Sequence, residues 1–208
     1  MAIIFGPDSF NRAAGTDLGA NWTERAGNWE ITAGEKLNLA SGAANACAHS
    51  SGVMSTADYT VEAEVNASSW TSGYEGPIGR RVDYSTSDSD GYILMPISTS
   101  TLRLYKRVSG TFTSLGEYAV SLTANVAIIL KLSMQGTTIK GYLAGVERIS
   151  VTDSSLTSAG NCGVYCDGQA NLNKFDDVVA EDFVAGGANW LKQGYWWNRI
   201  YGNYAGGA

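Results

Sequence analysis

Glu62 and Glu64, in the run DYTVEAEVNA, come nearest in type and spacing to catalytic residues in this chain. Hydrolysis of a glycosidic bond needs two carboxyl groups flanking that bond at a set separation, one acting as acid and the other as nucleophile or base. Residues two apart on a strand share a face, so the pair is correctly placed for such work. Asn66 and Ala67 follow where further acid would be needed, however, and Tyr59, Val61, Ala63 and Val65 alternate with the glutamates. That alternation puts Glu62 and Glu64 on the solvent side of a half-buried strand, with no catalytic role expected. His49 is the only histidine. It lies in ACAHSSG with no carboxylate nearby to orient it, and it reads as a surface imidazole rather than as the base of a nucleophile triad.

Metal and redox chemistry find little support in the sequence. The acidic loop from Asp83 to Gly91 invites a calcium reading. Aligning Asp88, Asp90 and Gly91 with the third, fifth and sixth places of an EF-hand loop puts Thr86 first and Ile97 last, where carboxylates are required. The loop is read instead as a turn before a strand over Tyr92–Met95. Cys47, Cys162 and Cys166 are too few and odd in number for a disulfide framework. On one strand Cys162 and Cys166 would stand roughly 13 Å apart, beyond bridging distance. They are read as small buried thiols.

The elements that must carry these residues show period two. Besides the Tyr59–Val65 run, Ile128, Leu130, Leu132 and Met134 alternate with Ile129, Lys131 and Ser133. Ser109-Gly110, Gln135-Gly136 and Ala144-Gly145 supply positive φ for tight turns, which predicts consecutive antiparallel hairpins over 101–120 and 128–151. No window shows an amphipathic helix. The expected class is all-β, an antiparallel two-sheet sandwich or jelly roll.

The last two dozen residues, AGGANWLKQGYWWNRIYGNYAGGA, differ from everything before them. They carry no acidic side chain, and they concentrate Trp190, Trp196, Trp197, Tyr195, Tyr201 and Tyr204 among glycines that break both helix and strand patterns. Aromatics exposed in such number need a surface to dock on. The 208 residues therefore divide into a β domain over 1–184 and a C-terminal arm over 185–208. A net charge of −6 without clustered Lys and Arg argues against a nucleic-acid partner. No window approaches a membrane span, and MAIIFGPDSF lacks the basic and apolar regions of a secretory signal, so synthesis in the cytoplasm is expected.

Several stretches resemble concanavalin A-like (laminin-G-like) jelly rolls: the opening DSFNRAAGTDLGANWTERAGNWEITAGEKLNL, the middle DYTVEAEV and SDSDGYILM, then LRLYKRVSGTFTSLGEYAV, LKLSMQGTTIKGYLAGVERISVTDSSLTSAGNCGVY and NKFDDVVAEDF. The likeness covers roughly Pro7 to Phe183. It implies a concanavalin A-like sandwich whose first and last strands pair, bringing Ser9–Arg12 near Phe175–Val179, and it implies core positions for Trp22 and Trp29. The same pairing would bring together Asp8, Asp176 and Asp177 as calcium candidates; no other cofactor is expected. Glucanases of this fold carry an acidic triplet of the E-x-D-x-x-E type, which Glu62 and Glu64 do not complete. Trp70 and Tyr74, in a loop, would suit either a glycan or a protein interface. Within the group, the start of the chain looks most like bacteriophage proteins.

The resulting expectation is a non-enzymatic virion protein made in the host cytoplasm. It would be a capsid decoration or cement subunit, held to the major capsid protein or to its own copies through Trp190, Tyr195, Trp196, Trp197, Tyr201 and Tyr204 of the arm. The alternative is a carbohydrate-binding, lectin-like module such as a tail adsorption protein, with glycan as partner.

Overall fold

The computed structural model describes residues 2–42, 44–71, 74–83, 89–167 and 173–183. In chain order the strands are β1 Ile3–Asp8, β2 Trp22–Arg25, β3 Asn28–Ile31, β4 Leu37–Ser41, β5 Ala46–Ser50, β6 Tyr59–Ala67, β7 Glu75–Asp83 and β8 Ser89–Ser98. They continue with β9 Thr101–Val108, β10 Thr111–Ala119, β11 Ile128–Gln135, β12 Thr138–Leu143, β13 Val146–Thr152, β14 Asn161–Cys166 and β15 Asn173–Asp182. No helix occurs among the described residues.

Two antiparallel sheets face each other. The eight-stranded sheet runs β13-β12-β11-β6-β15-β4-β3, with β1 also paired to β15, and the seven-stranded sheet runs β10-β9-β8-β7-β14-β5-β2. First and last strands pair as expected, but through Ile3–Asp8 rather than Ser9–Arg12, with Asp8 opposite Val178. A bulge between Asp176 and Val179 lets β15 take β4 as neighbour along its first half and β1 along its second, and Asp177 absorbs the irregularity at φ 51°.

Turn chemistry sets the registers. Ser109-Gly110 and Ala144-Gly145 have positive φ at both positions, the type I′ geometry whose twist matches its flanking strands. They join β9 to β10 and β12 to β13, with Val108 opposite Thr111 and Leu143 opposite Val146. The predicted hairpins over 101–120 and 128–151 are therefore present.

The core fills the space between the sheets. Val61, Ala63 and Val65 of β6 and Leu130 and Leu132 of β11 meet Leu94 of β8, Leu102 and Leu104 of β9, and Cys162, Val164 and Cys166 of β14. Trp22 and Trp29 belong to this core, Trp29 packed against Phe175 with centroids 6.1 Å apart. The three thiols are free and buried, as read from the sequence.

One end is closed by Arg80, fully enclosed at the β7 bulge. Its guanidinium donates to the carbonyls of Ala57 (2.8 Å), Leu156 (2.7 Å) and Gly136 (2.9 Å) and to Asp58 (3.2 Å). A buried charge is tolerated when its donors are met, and each of the three guanidinium nitrogens has an acceptor. At the start of the same strand, Glu75 is 0% exposed and neither carboxylate oxygen has a hydrogen-bond partner among the described residues. Burial raises its pKa to about 9, so the group is neutral inside the fold.

Candidate functional site

The outer faces of the two sheets differ. On the eight-stranded sheet Glu62 and Glu64 do lie outward, but both are ion-paired. Lys131 meets Glu62 at 2.7 Å, and Lys36 lies between Glu64 (3.2 Å) and Asp176. Glu62 is buried beneath its lysine rather than freely solvated.

On the seven-stranded sheet the outward positions include Cys47 and His49 of β5, Tyr165 of β14, Ile78 and Arg81 of β7, Ile93 and Met95 of β8, and Arg103, Tyr105 and Arg107 of β9. Register pairs place them side by side: Tyr165 against Cys47, Ile78 against Ile93, and Ile93 against Tyr105. Cys47, Ile78, Ile93, Met95 and Tyr165 form a second apolar cluster, distinct from the interior core, flanked by Tyr74, Tyr105 and Phe112.

Polar groups frame this apolar centre. At one margin Asp83 binds Arg25 (3.0 Å) and Arg81, while Arg81 Nε donates to Ser89 Oγ at 2.9 Å. His49 lies beside them, 6% exposed, with Nδ1 2.8 Å from the Ser50 carbonyl. Burial, reinforced by the Arg81 charge, lowers its pKa to about 4, so the imidazole is neutral at ordinary pH. The surface imidazole expected from the sequence is thus an enclosed one. Burial likewise pushes the Cys47 thiol up to about 12.

At the opposite margin an aromatic pair stands half-buried. Tyr105 and Phe112 meet edge to face at 5.6 Å, with Arg103 stacked over Tyr105 (5.4 Å) and Arg107 over Phe112 (5.1 Å). Arg103 also donates to the Tyr105 hydroxyl at 2.7 Å and pairs with the exposed Glu117. A third polar group, Asn45, accepts from the Tyr165 hydroxyl at 2.9 Å.

The structure separates several residues the sequence grouped. Asp8 accepts from Arg12 (2.8 and 3.1 Å), Trp22 Nε1 (2.6 Å) and the Phe10 amide, and Asp176 is taken by Lys36. Asp8, Asp176 and Asp177 therefore do not converge, and no metal-binding group of acidic, Cys and His side chains occurs among the described residues. Asp90 accepts from the Ser109 and Gly110 amides at 2.6 and 3.0 Å, which makes it a turn anchor. Trp70 is not an exposed loop platform. It is 1% exposed, its indole N–H donating to the Thr123 carbonyl at 2.9 Å, and it belongs to the interior core, whereas Tyr74 is half-buried and packs against the outer cluster of the seven-stranded sheet. Trp190, Tyr195, Trp196, Trp197, Tyr201 and Tyr204 lie outside the described residues.

Sequence reasoning missed Arg81, Arg103, Tyr105, Arg107 and Phe112. The signal available was LRLYKRVSGTF, where Arg and Tyr alternate with Leu on a strand and so share one face.

No family model matches the chain, and no curated protein matches it. Among solved structures it is similar to the carbohydrate binding module CBM66 from Bacillus subtilis, at TM-score 0.66 and 21% identity over 78% of this chain and 96% of that one. It is similar to a β-glucanase from Bacillus licheniformis (TM-score 0.62, 13% identity, 85% and 97% covered). A further likeness is to a prokaryotic β-1,3-1,4-glucanase, a lichenase derived from a mouse hindgut metagenome (TM-score 0.60, 13% identity, 81% and 96% covered). These neighbours correct the expectation that the chain is not an enzyme: the same sandwich includes glucanases, so the fold gives no ground for that exclusion. Nothing in them concerns a virion or a capsid. What they show is the fold, an antiparallel concanavalin A-like jelly-roll sandwich.

Proposed function

We propose that this chain is a carbohydrate-binding module that holds a polysaccharide against the outer face of its seven-stranded sheet. The carrying observation is the Tyr105–Phe112 pair with Arg103 and Glu117 beside it. Sugar rings present apolar C–H faces and a rim of hydroxyls. A half-buried aromatic pair takes the first, and a planar guanidinium next to a carboxylate takes the second. The fold shared with a carbohydrate binding module adds support. The capsid-decoration reading draws on the C-terminal arm and on a resemblance of the chain's start to bacteriophage proteins, whereas the glycan reading draws on side chains whose positions are described.

The test is binding of the full chain to a polysaccharide panel that includes β-glucans, by affinity electrophoresis and calorimetry. Tyr105→Ala with Phe112→Ala should weaken binding at least tenfold, because stacked aromatics carry about 1 to 3 kcal/mol each at such sites. Unchanged retention by the double variant, or no retention of any polysaccharide by the wild type, overturns the assignment. Reducing ends released during the same incubation would add hydrolysis to binding.

A further inference from the structure

The margin that holds Tyr105 and Phe112 is a ladder along the β9–β10 hairpin, and its geometry limits what can lie on it. Three register pairs put their side chains outward: Arg107 opposite Phe112, Tyr105 opposite Ser114, and Arg103 opposite Glu117. The last pair depends on the bulge between Ser114 and Gly116. In an unbroken strand Gly116 would follow Phe112 and Ser114 onto the outer face and Glu117 would turn inward; the extra residue re-aims Glu117 toward Arg103. Because β10 ends its sheet, the ladder lies along an edge and runs with the strands rather than across them.

The rings bear on the shape of a ligand. Neighbouring rings are far from coplanar, with Tyr105 and Phe112 at 79° and Phe112 and Tyr165 at 67°. One face of each outer ring is also taken, Tyr105 by the Arg103 guanidinium and Phe112 by that of Arg107. Arg107 is fixed there by the carbonyls of Gly110 (3.2 Å) and Ser89 (3.1 Å). A sugar stacks its C–H face on an open aromatic face, so each ring serves at most one sugar residue, and residues in contact with the two rings differ steeply in plane. A flat ribbon of coplanar sugars cannot follow that change; a chain that turns between residues can. The polar couple bears on charge. Arg103 faces the half-exposed Glu117 and donates to the Tyr105 hydroxyl at 2.7 Å. A donor fork beside an acceptor suits the adjacent hydroxyls of a neutral sugar, and Glu117 repels an anionic one.

We infer that the ligand of this margin is a neutral polysaccharide chain that turns from residue to residue, held over a short stretch along β9 and β10. From Arg103 to Arg107 the strand rises roughly 13 Å, room for about two to three sugar rings. The inference rests on the glycan reading and narrows it, placing flat crystalline ribbons and acidic polysaccharides outside the class.

The test uses the full chain and four probes: soluble β-1,3-1,4-glucan and amylose as neutral turning chains, crystalline cellulose as a flat ribbon, and alginate as an acidic chain. At least one of the first two should bind about tenfold or more tightly than either of the others, with an affinity that is unchanged between about 50 and 500 mM NaCl. In calorimetry with oligosaccharides of two to six residues prepared from the chain that binds, affinity should climb to the trimer and then change by less than about twofold. Three results that disappear in Tyr105→Ala with Phe112→Ala overturn the inference and leave the glycan reading standing: depletion of the protein by crystalline cellulose, preferential binding of alginate that weakens with salt, and affinity that still climbs from three residues to six. Failure of the wild type to bind either neutral turning chain overturns it as well. Failure to bind any polysaccharide of the wider panel, or equal binding by the double variant, is instead the failure of the glycan reading itself.

Discussion

The two sheets face outward in different chemistry, although both are built from short alternating strands. On the eight-stranded sheet every second residue of β6 is polar, and each outward carboxylate of Glu62, Glu64 and Asp176 has its lysine. That face needs no cover. On the seven-stranded sheet β14 reads NCGVYC and is buried along its whole length, and β7 and β8 are buried for most of theirs. Strands that read as apolar on both faces are strands covered on both faces. Among the described residues, charge on this side sits on guanidiniums tied to carboxylates, carbonyls and aromatic rings at the margins. The lesson is that the pairing of polar residues, more than their number, separates a solvated face from a working one.

The comparison breaks most visibly if a charge is placed on each face. Ile78→Asp puts an unpaired carboxylate into the apolar centre of the seven-stranded face, which should lower stability by about 3 to 5 kcal/mol in urea unfolding. Ile129→Lys, outward on the eight-stranded face opposite Glu64, should stay within about 0.5 kcal/mol. Equal losses at both positions would mean that the two faces are not different environments.

Next in size is the pH response of two buried groups. Glu75 is protonated in the folded chain up to about 9 and ionises at its ordinary 4.5 when unfolded. Its contribution is therefore complete below 4.5 and is lost as pH rises toward 9, at up to about 1.4 kcal/mol per pH unit. His49 acts at the acid end. Its folded value of about 4 lies below the ordinary 6.5, so the stability it contributes is present above 6.5 and is lost as pH falls toward 4. Glu75→Gln should flatten the loss between pH 5 and 9 and raise Tm at pH 8 while leaving the acid limb intact; a steep alkaline limb in that variant would place its origin elsewhere.

Smaller effects belong to the ion-paired face. Lys131→Met leaves the buried Glu62 unpaired and should cost about 1 kcal/mol, read as a shift in the urea midpoint. Lys140→Ala removes an exposed partner of Glu147 and should leave the midpoint unchanged within error, since exposed pairs contribute little. A larger loss at Lys140 than at Lys131 would reverse the ranking drawn from burial.

How much of this was legible in the sequence depends on how local its cause is. The alternation over Tyr59–Val65 placed Glu62 and Glu64 outward correctly, because side-chain direction along a strand follows from the backbone alone. It could not reveal that Lys131 and Lys36 would cap them, since those contacts join residues far apart in the chain. Trp70 shows the same limit: a loop tryptophan flanked by serine and threonine reads as exposed until the 120s loop supplies a carbonyl for its indole. His49 has polar sequence neighbours, and only the packing of β5 beside Arg81 makes it a neutral, enclosed imidazole.

By itself, then, the amino-acid sequence determined the class of fold, the hairpins at Ser109-Gly110 and Ala144-Gly145, and the pattern of inward side chains. Each of these follows from period-two polarity and the φ preferences of a few turn residues. Tertiary structure alone decided which of the two sheets would carry the candidate site. Cys47, Ile78, Ile93, Tyr105 and Tyr165 come from β5, β7, β8, β9 and β14. They become one surface only when inter-strand hydrogen bonds set these strands side by side, about 4.8 Å apart, in a fixed register.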